Sequence, residues 1–224
     1  MRSGSAFHKR TVQPTWCYTR SSYQAINVPL RITKYCAVPR LDNNATTYGA
    51  LMFQQVPLVE IDGMQLVQSR AIMNYIAGKY NLYGKDLKER ALIDMYTEGM
   101  IDLLDVIMLW AIETPENKQK QLSNIEQKAK ERFMPVFEKG LANSDFLVGN
   151  QLSRADVHLL ETTLTLQEIF PTILSTFPKI QAFQERMKAL PRISKFLQPG
   201  SARKPPRDED LIPTLKEVLS HYYK

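Results

Sequence analysis

Two short stretches carry residue types at spacings suited to holding a small peptide-like acid. The first is Gln68-Ser69, followed by Ala71, Ile72, Tyr75 and Ile76 at helical spacing. Ser69 stands where an N-cap is expected. A helix start presents N–H groups and the positive end of the helix dipole, and together these suit a carboxylate. The second stretch is Val56-Pro57. Proline is tolerated in a strand only at an edge or at the start. A cis bond before Pro57 would turn the backbone groups of Val56 toward a ligand instead of a neighbouring strand. An extended peptide could then pair with that edge. Pattern alone also allows a plainer reading of both stretches, an ordinary hairpin docked on a helix.

Other chemistries find little support. Cys17 and Cys36 form no metal or redox motif, and His8, His158 and His221 are scattered. No glycine-rich phosphate loop appears among the nine glycines. No metal is therefore expected. With two cysteines, reduced thiols are the default over a disulfide framework. No apolar run approaches the roughly 20 residues that a membrane helix needs. The net charge of +6 is unevenly placed. Residues 1–41 hold seven basic residues and no acid, which leaves 22 basic against 23 acidic residues in the remainder. The basic character belongs to the leading segment, so no nucleic-acid patch is expected on the folded body.

The elements that must position the two stretches are legible. Val56, Leu58 and Glu60 alternate with Pro57, Val59 and Ile61, and Asp62-Gly63 is a two-residue hairpin signal. Met64, Leu66 and Val67 form the returning strand, and a helix follows Ser69. After Gly84 helical periodicity takes over. Asp86 starts a long helix through Leu87, Ala91, Met95, Leu103 and Ile107. Thr114-Pro115-Glu116 starts the next, with Leu122, Ile125, Ala129, Phe133 and Phe137 on its buried face and a kink expected at Pro135. Ser153-Arg154-Ala155-Asp156 is a capping box, flanked by Leu152 and Val157 as a hydrophobic staple. Its expected role is to fold a core helix, and His158 on that helix is read as packing or surface. Further helices are expected around 177–190 and 193–197. The tail carries Leu211, Ile212, Leu215, Val218, Leu219 and Tyr222 on one face of a last amphipathic helix.

Long motifs give a family resemblance. The run Phe53-Gln54-Gln55-Val56-Pro57-Leu58-Val59-Glu60-Ile61-Asp62-Gly63-Met64, the run Leu66-Val67-Gln68-Ser69-Arg70-Ala71-Ile72 and the run from Tyr80 to Tyr96 resemble the cytosolic glutathione S-transferases of the alpha class. So do Phe146 through Asp156, Lys195 through Ser201, and Arg203-Lys204-Pro205-Pro206. The resemblance covers about residue 49 to the C-terminus. It implies an α/β plus all-α fold: a thioredoxin-like domain whose first β-α-β part is atypical or missing, then an all-helical domain. The corresponding partition is an atypical basic leader at 1–48, a β-β-α part at 49–83 that carries the glutathione site, and the helical domain at 84–224.

The resemblance also assigns roles. Gln55 and Val56 would contact the tripeptide backbone, with Pro57 fixing the cis geometry. Gln68 and Ser69 would hold the γ-glutamyl carboxylate, Ser69 standing where the family usually has threonine. Asp102 and Arg132 match positions that reach the neighbouring subunit's glutathione. Phe53 matches an aromatic key that inserts into the partner, which implies a homodimer. Met108, Ile112, Leu215 and Tyr222 would line the apolar co-substrate's site, the last helix covering it. Glutathione enters as co-substrate, and the location implied is the cytoplasm. The activity implied is conjugation of the glutathione thiol to apolar electrophiles.

The first 48 residues depart from the family. The family carries a tyrosine at the end of its first strand, followed by a basic stretch, and its hydroxyl holds the thiolate. Here Tyr18 followed by Arg20 is the nearest imitation, and Tyr23 and Tyr35 match no better. The catalytic residue is therefore unassigned. A free thiol has a pKa of about 8.5, so an unassisted one is mostly protonated at neutral pH. The loop at 43–47 also lacks the family's arginine. Three readings of residues 1–48 stay open: replacement of the usual start, a targeting segment, and divergence. Ile26, Val28, Leu30 and Ile32 do alternate as an edge strand would. The rival functions are a non-catalytic binding protein of the same fold, an inactive isoform lacking the tyrosine, and an incompletely folded product.

Overall fold

The computed structural model describes residues 11–12, 52–53, 55–111 and 113–200. The expected strand pattern at 26–32, both cysteines, the candidate tyrosines 18, 23 and 35, Ile112 and the tail with Leu215 and Tyr222 lie outside the described residues.

The hairpin forms where the turn chemistry places it. Strands β3 (Leu58–Ile61) and β4 (Met64–Val67) pair antiparallel, with Ile61 opposite Met64. Asp62 and Gly63 between them both have positive φ, 51° and 75°, as a type I′ turn demands. Leu58 and Val59 are both buried, so β3 starts covered on both faces and alternates only weakly. Ahead of it, β2 (Gln55–Val56) pairs parallel with β1 (Thr11–Val12). The sequence predicts the Val56 edge as open to a ligand; the structure gives it a strand neighbour.

Helix α1 (Ser69–Lys79) follows β4 directly. Ser69 is not its N-cap. Gln68 takes that position with φ 70°, and Ser69 is the first helical residue, fully buried. The chain leaves the strand through a left-handed residue, which shifts the helix start back by one. Ile72, Met73, Ile76 and Ala77 turn the apolar face of α1 inward.

The helical part is built around α2 (Leu87–Ala111) and α5 (Arg154–Ile169), which pack on each other. Asp86 starts α2 as expected, accepting from the Glu89 N–H at 2.9 Å. Its buried face is not the predicted one throughout. Leu87, Ala91 and Met95 are exposed, and Ile93, Met100, Leu103, Leu104 and Ile107 are buried. Steps of four residues advance 400° around a helix and drift about 40° each, so Leu103 ends about 160° from Leu87.

Helix α3 (Pro115–Lys128) begins behind Thr114 with proline in its first turn, as predicted. It runs into a π turn (Ala129–Phe133) and then α4 (Met134–Gly140). Ile125, Ala129, Phe133 and Phe137 are buried and Leu122 partly so. The expected disturbance at Pro135 takes the form of that π turn. The Met134 N–H reaches back to the Ala129 carbonyl, one residue beyond the α pattern. A proline lacks an N–H and crowds the carbonyl four residues earlier, and a wider turn just before it accommodates both.

Helix α5 starts at the capping box. The Asp156 carboxylate accepts from the Ser153 N–H and Oγ and from the Leu147 N–H, each at 2.8 Å. Val157 is buried and Leu152 packs on the same core. His158 is buried too, its Nε2 without a hydrogen-bond partner, and burial pushes its pKa down to about 3. It is a neutral packing residue. Helices α6 (Pro178–Ala189) and α7 (Pro191–Leu197) complete the described part. Glu138 of α4 caps α6, accepting from the Lys179 and Ile180 N–H groups at 2.8 and 2.9 Å.

The β-β-α part is tied to the helices at Leu82-Tyr83. The Arg154 N–H donates to the Leu82 carbonyl at 2.8 Å. The buried Arg154 guanidinium pairs with Asp94 and lies over the Tyr83 ring, and the Tyr83 hydroxyl donates to Asp94 at 2.8 Å.

Candidate functional site

The junction between β4 and α1 is held from outside. The Asp62 carboxylate in the hairpin turn accepts from the Tyr75 hydroxyl at 2.5 Å and from Lys79 Nζ at 2.5 and 2.7 Å. The bonds from Lys79 and Tyr75 draw Asp62 below the ordinary carboxylate range and push both partners up. Tyr75 and Lys79 lie one turn apart on α1, so the hairpin tip is clipped to the far half of the helix. Both ends of the Val67–Ser69 turn are thereby fixed, one by the β3–β4 ladder and one by this clip.

At the junction Gln68 is half-buried and Ser69 is buried. The first turn of α1 holds no acidic side chain, so nothing on the helix itself offsets its positive end. Pro57 is buried beside the start of β3. The backbone of Gln55–Val56 sits one residue before it, in register with Thr11–Val12. The structure thus brings Pro57, Gln68 and Ser69 to one end of the hairpin, because Leu58 pairs with Val67.

A charged strip borders this end. Arg70, next to Ser69, pairs with Glu98 of α2 at 2.9 Å. Glu98, Asp102 and Asp105 follow on α2 at spacings of four and three, which is one helix face. Asp102 is exposed. Asp105 is half-buried with Oδ1 unpartnered, and burial pushes its pKa up against the pull of Arg70. Arg70, Glu98 and Asp105 were not among the residues that the sequence singles out. The acid spacing on α2 was the signal for them.

The other expected residues are more dispersed. Arg132 is exposed on the π turn, its guanidinium 4.9 Å from the Phe133 ring centre. Phe53 is 57% exposed and its neighbour Met52 75%. Leu92, Met95 and Val136 are also exposed apolar side chains. Met108 is buried in the helical core. A polar cleft of about 340 Å³ between the 141–150 loop and α6 is lined by none of the expected residues, and Arg186 there pairs with Asp145 at 3.3 Å. Among the described residues no His, Cys, Asp and Glu group could hold a metal ion, and no helix is long and apolar enough to cross a membrane.

Comparison with known proteins bears on this arrangement. Residues 41–78 match the family model described as glutathione S-transferase, N-terminal domain, and residues 101–200 the one described as glutathione S-transferase, C-terminal domain. A glutathione S-transferase of Gallus gallus is 59% identical over 173 residues, which is 76% of this chain and 78% of that protein. Human glutathione S-transferase A1 is 55% identical over 173 residues, with the same coverage. Among solved structures, the monomeric glutathione S-transferase Na-GST-3 of the hookworm Necator americanus superposes with a TM-score of 0.66 at 26% identity, covering 84% of this chain and 94% of that one.

Proposed function

This chain belongs to the glutathione S-transferase family, alpha class, and on that premise we propose that it joins the thiol of glutathione to apolar electrophiles. In that reaction the thiol loses its proton and the sulfur forms a bond to an electrophilic carbon; either a leaving group departs with the displaced electron pair, or, in an addition or ring opening, the atom that receives that pair takes up a proton. The protein's share is to hold the two reactants together and to favour the thiolate. No covalent protein intermediate and no metal take part in this reading.

The observation that carries it is the α1 mouth. Gln68 and Ser69 lie at a helix start with no acidic first-turn side chain, clipped in place and adjacent to Pro57. In this reading Gln68 and Ser69 bind the γ-glutamyl carboxylate, while Gln55 and Val56 pair with the tripeptide backbone beside Pro57. Asp102 and Arg132 reach the glutathione of a neighbouring subunit. Ile112, Leu215 and Tyr222 would supply the apolar lining for the co-substrate, with Met108, buried in the helical core, behind them. The partition at residues 49–83 and 84–224 and a cytoplasmic location belong to the same reading. Residues 1–48 supply no assigned thiolate donor.

Binding and turnover test this separately. Glutathione titrated into the purified chain should associate at millimolar concentration or below. Ser69→Ala should weaken that association about tenfold, as expected for one lost hydrogen bond to a charged group. A conjugation assay with a generic aryl halide then reads activity. No association of the tripeptide at millimolar levels sinks the assignment. Association without turnover above the uncatalysed rate shows a chain that keeps the site and lacks the donor.

A homodimer is part of the proposal. The hookworm relative is described as monomeric, so the fold alone does not dictate assembly. Support here comes from the exposed apolar side chains of Met52, Phe53, Met95 and Val136. Phe53→Ser is expected to shift the chain toward monomer in sedimentation velocity, with its far-UV circular dichroism unchanged. An unshifted distribution would remove Phe53 from the interface.

A further inference from the structure

The backbone edge at Val56, proposed above to pair with glutathione, already has an occupant. Thr11 pairs with Gln55 and Val12 with Val56, in parallel register. In a parallel ladder each bridged pair is held by the N–H and C=O of one member, bonded to the residues flanking the other. For Val12 and Val56 there are two ways to do this. One uses the groups of Val12 and requires an N–H on the residue after Val56. That residue is Pro57, which has none. The other uses the N–H and C=O of Val56 itself. Only the second is open, so the donor and acceptor of Val56 face the Thr11–Val12 strand.

We propose that the Thr11–Val12 strand is a built-in competitor for the glutathione main chain, occupying the N–H and C=O of Val56 that the tripeptide needs. This rests on the reading that Val56 grips glutathione. A second feature fits the role. The competing strand lies ahead of residues 41–78 and 101–200, the parts of the chain that match the family models. A two-residue ladder is short, and a strand of this length is marginal on its own. It therefore acts as a displaceable cover. If the paired form is nine-tenths of the population, the apparent affinity for glutathione falls about tenfold below that of the open form.

The test uses the full chain and two variants. Thr11→Pro takes away the Thr11 N–H, which faces β2 on the same side as the carbonyl that meets Val56, and a Thr11→Gly, Val12→Gly double variant weakens the strand without a ring. Glutathione affinity is read by calorimetric titration, and amide hydrogen exchange reads Val56 directly. The expected result is a Val56 amide protected in the unliganded wild type, exchanging faster in both variants. The glutathione Kd should fall by about three- to tenfold in both. Fast exchange at Val56 in the wild type would overturn the pairing and leave the glutathione reading standing. An unchanged or higher Kd in the variants would overturn the competition, since the strand would then be neutral or supporting. If neither wild type nor variants bind glutathione, while Val56 protection behaves as expected, the glutathione reading fails and the competitor role fails with it.

Discussion

Asp156→Ala should be the most damaging single change in the helical part, lowering stability by about 3–5 kcal/mol. Asp156 is fully buried. Its carboxylate accepts from the Ser153 N–H, the Ser153 hydroxyl and the Leu147 N–H, all at 2.8 Å. Alanine leaves two backbone donors without their acceptor in a site that solvent does not reach, and each such orphan costs about 1–3 kcal/mol. One acceptor of the same carboxylate serves the helix start and the other ties down the loop that precedes it. The effect therefore spreads from the first turn of α5 to the chain around Gly149, where the absence of a Cβ admits the approach of the Glu89 carboxylate. A chain of this size should lose about 10 °C or more in Tm. Ser153→Ala, which keeps the Asp156 bonds to both N–H groups, should cost about 1 kcal/mol. If the two variants melt together, the carboxylate is not the principal holder of this junction.

The second large effect is a pH dependence that the wild type conceals. Burial pushes Asp156 up to about 6 against the three hydrogen bonds that favour its ionised form. Burial, with Arg154 nearby, pushes His158 down to about 3. The two act oppositely on stability. Asp156, raised on folding, contributes stability that is complete below its unfolded pKa of 3.8 and is lost as pH rises through about 6. His158, lowered on folding, contributes stability that is complete above its unfolded pKa of 6.5 and is lost as pH falls toward about 3. Between about pH 4 and 6 the native state holds an extra proton on Asp156 and lacks one on His158. The slopes are equal and opposite there, about 1.4 kcal/mol per pH unit each.

Single replacements should expose the cancelled terms. His158→Leu removes the histidine slope, so the variant should gain about 3 kcal/mol relative to wild type on going from pH 6 to 4. Asp156→Asn removes the carboxylate slope, and that variant should lose a similar amount over the same range. Both are read by denaturant titration at several pH values, always as the difference from wild type, so other titrating groups drop out. Parallel curves for wild type and His158→Leu would show that the imidazole is not buried and neutral in the folded protein.

The elements that sequence alone determined share one property: their cause lies within a few residues. Asp62-Gly63 makes a turn because those two residues accept positive φ, and Asp86 and Thr114-Pro115 start helices by bonding or shaping the next turn. The capping box at Ser153 was legible for the same reason, and so was the family, since its motifs are continuous runs. The tertiary structure decided whatever depends on a partner far along the chain. Which face of α2 is buried followed from its packing on α5, some 60 residues on. Gln68, not Ser69, became the N-cap because the hairpin and the Asp62 clip dictate how the chain enters α1. The Glu138 cap on α6 and the acid strip against Arg70 join elements that no local pattern connects. The same holds for Val56, whose edge reads as open in sequence and meets Thr11–Val12 only because the fold brings residues more than 40 apart side by side.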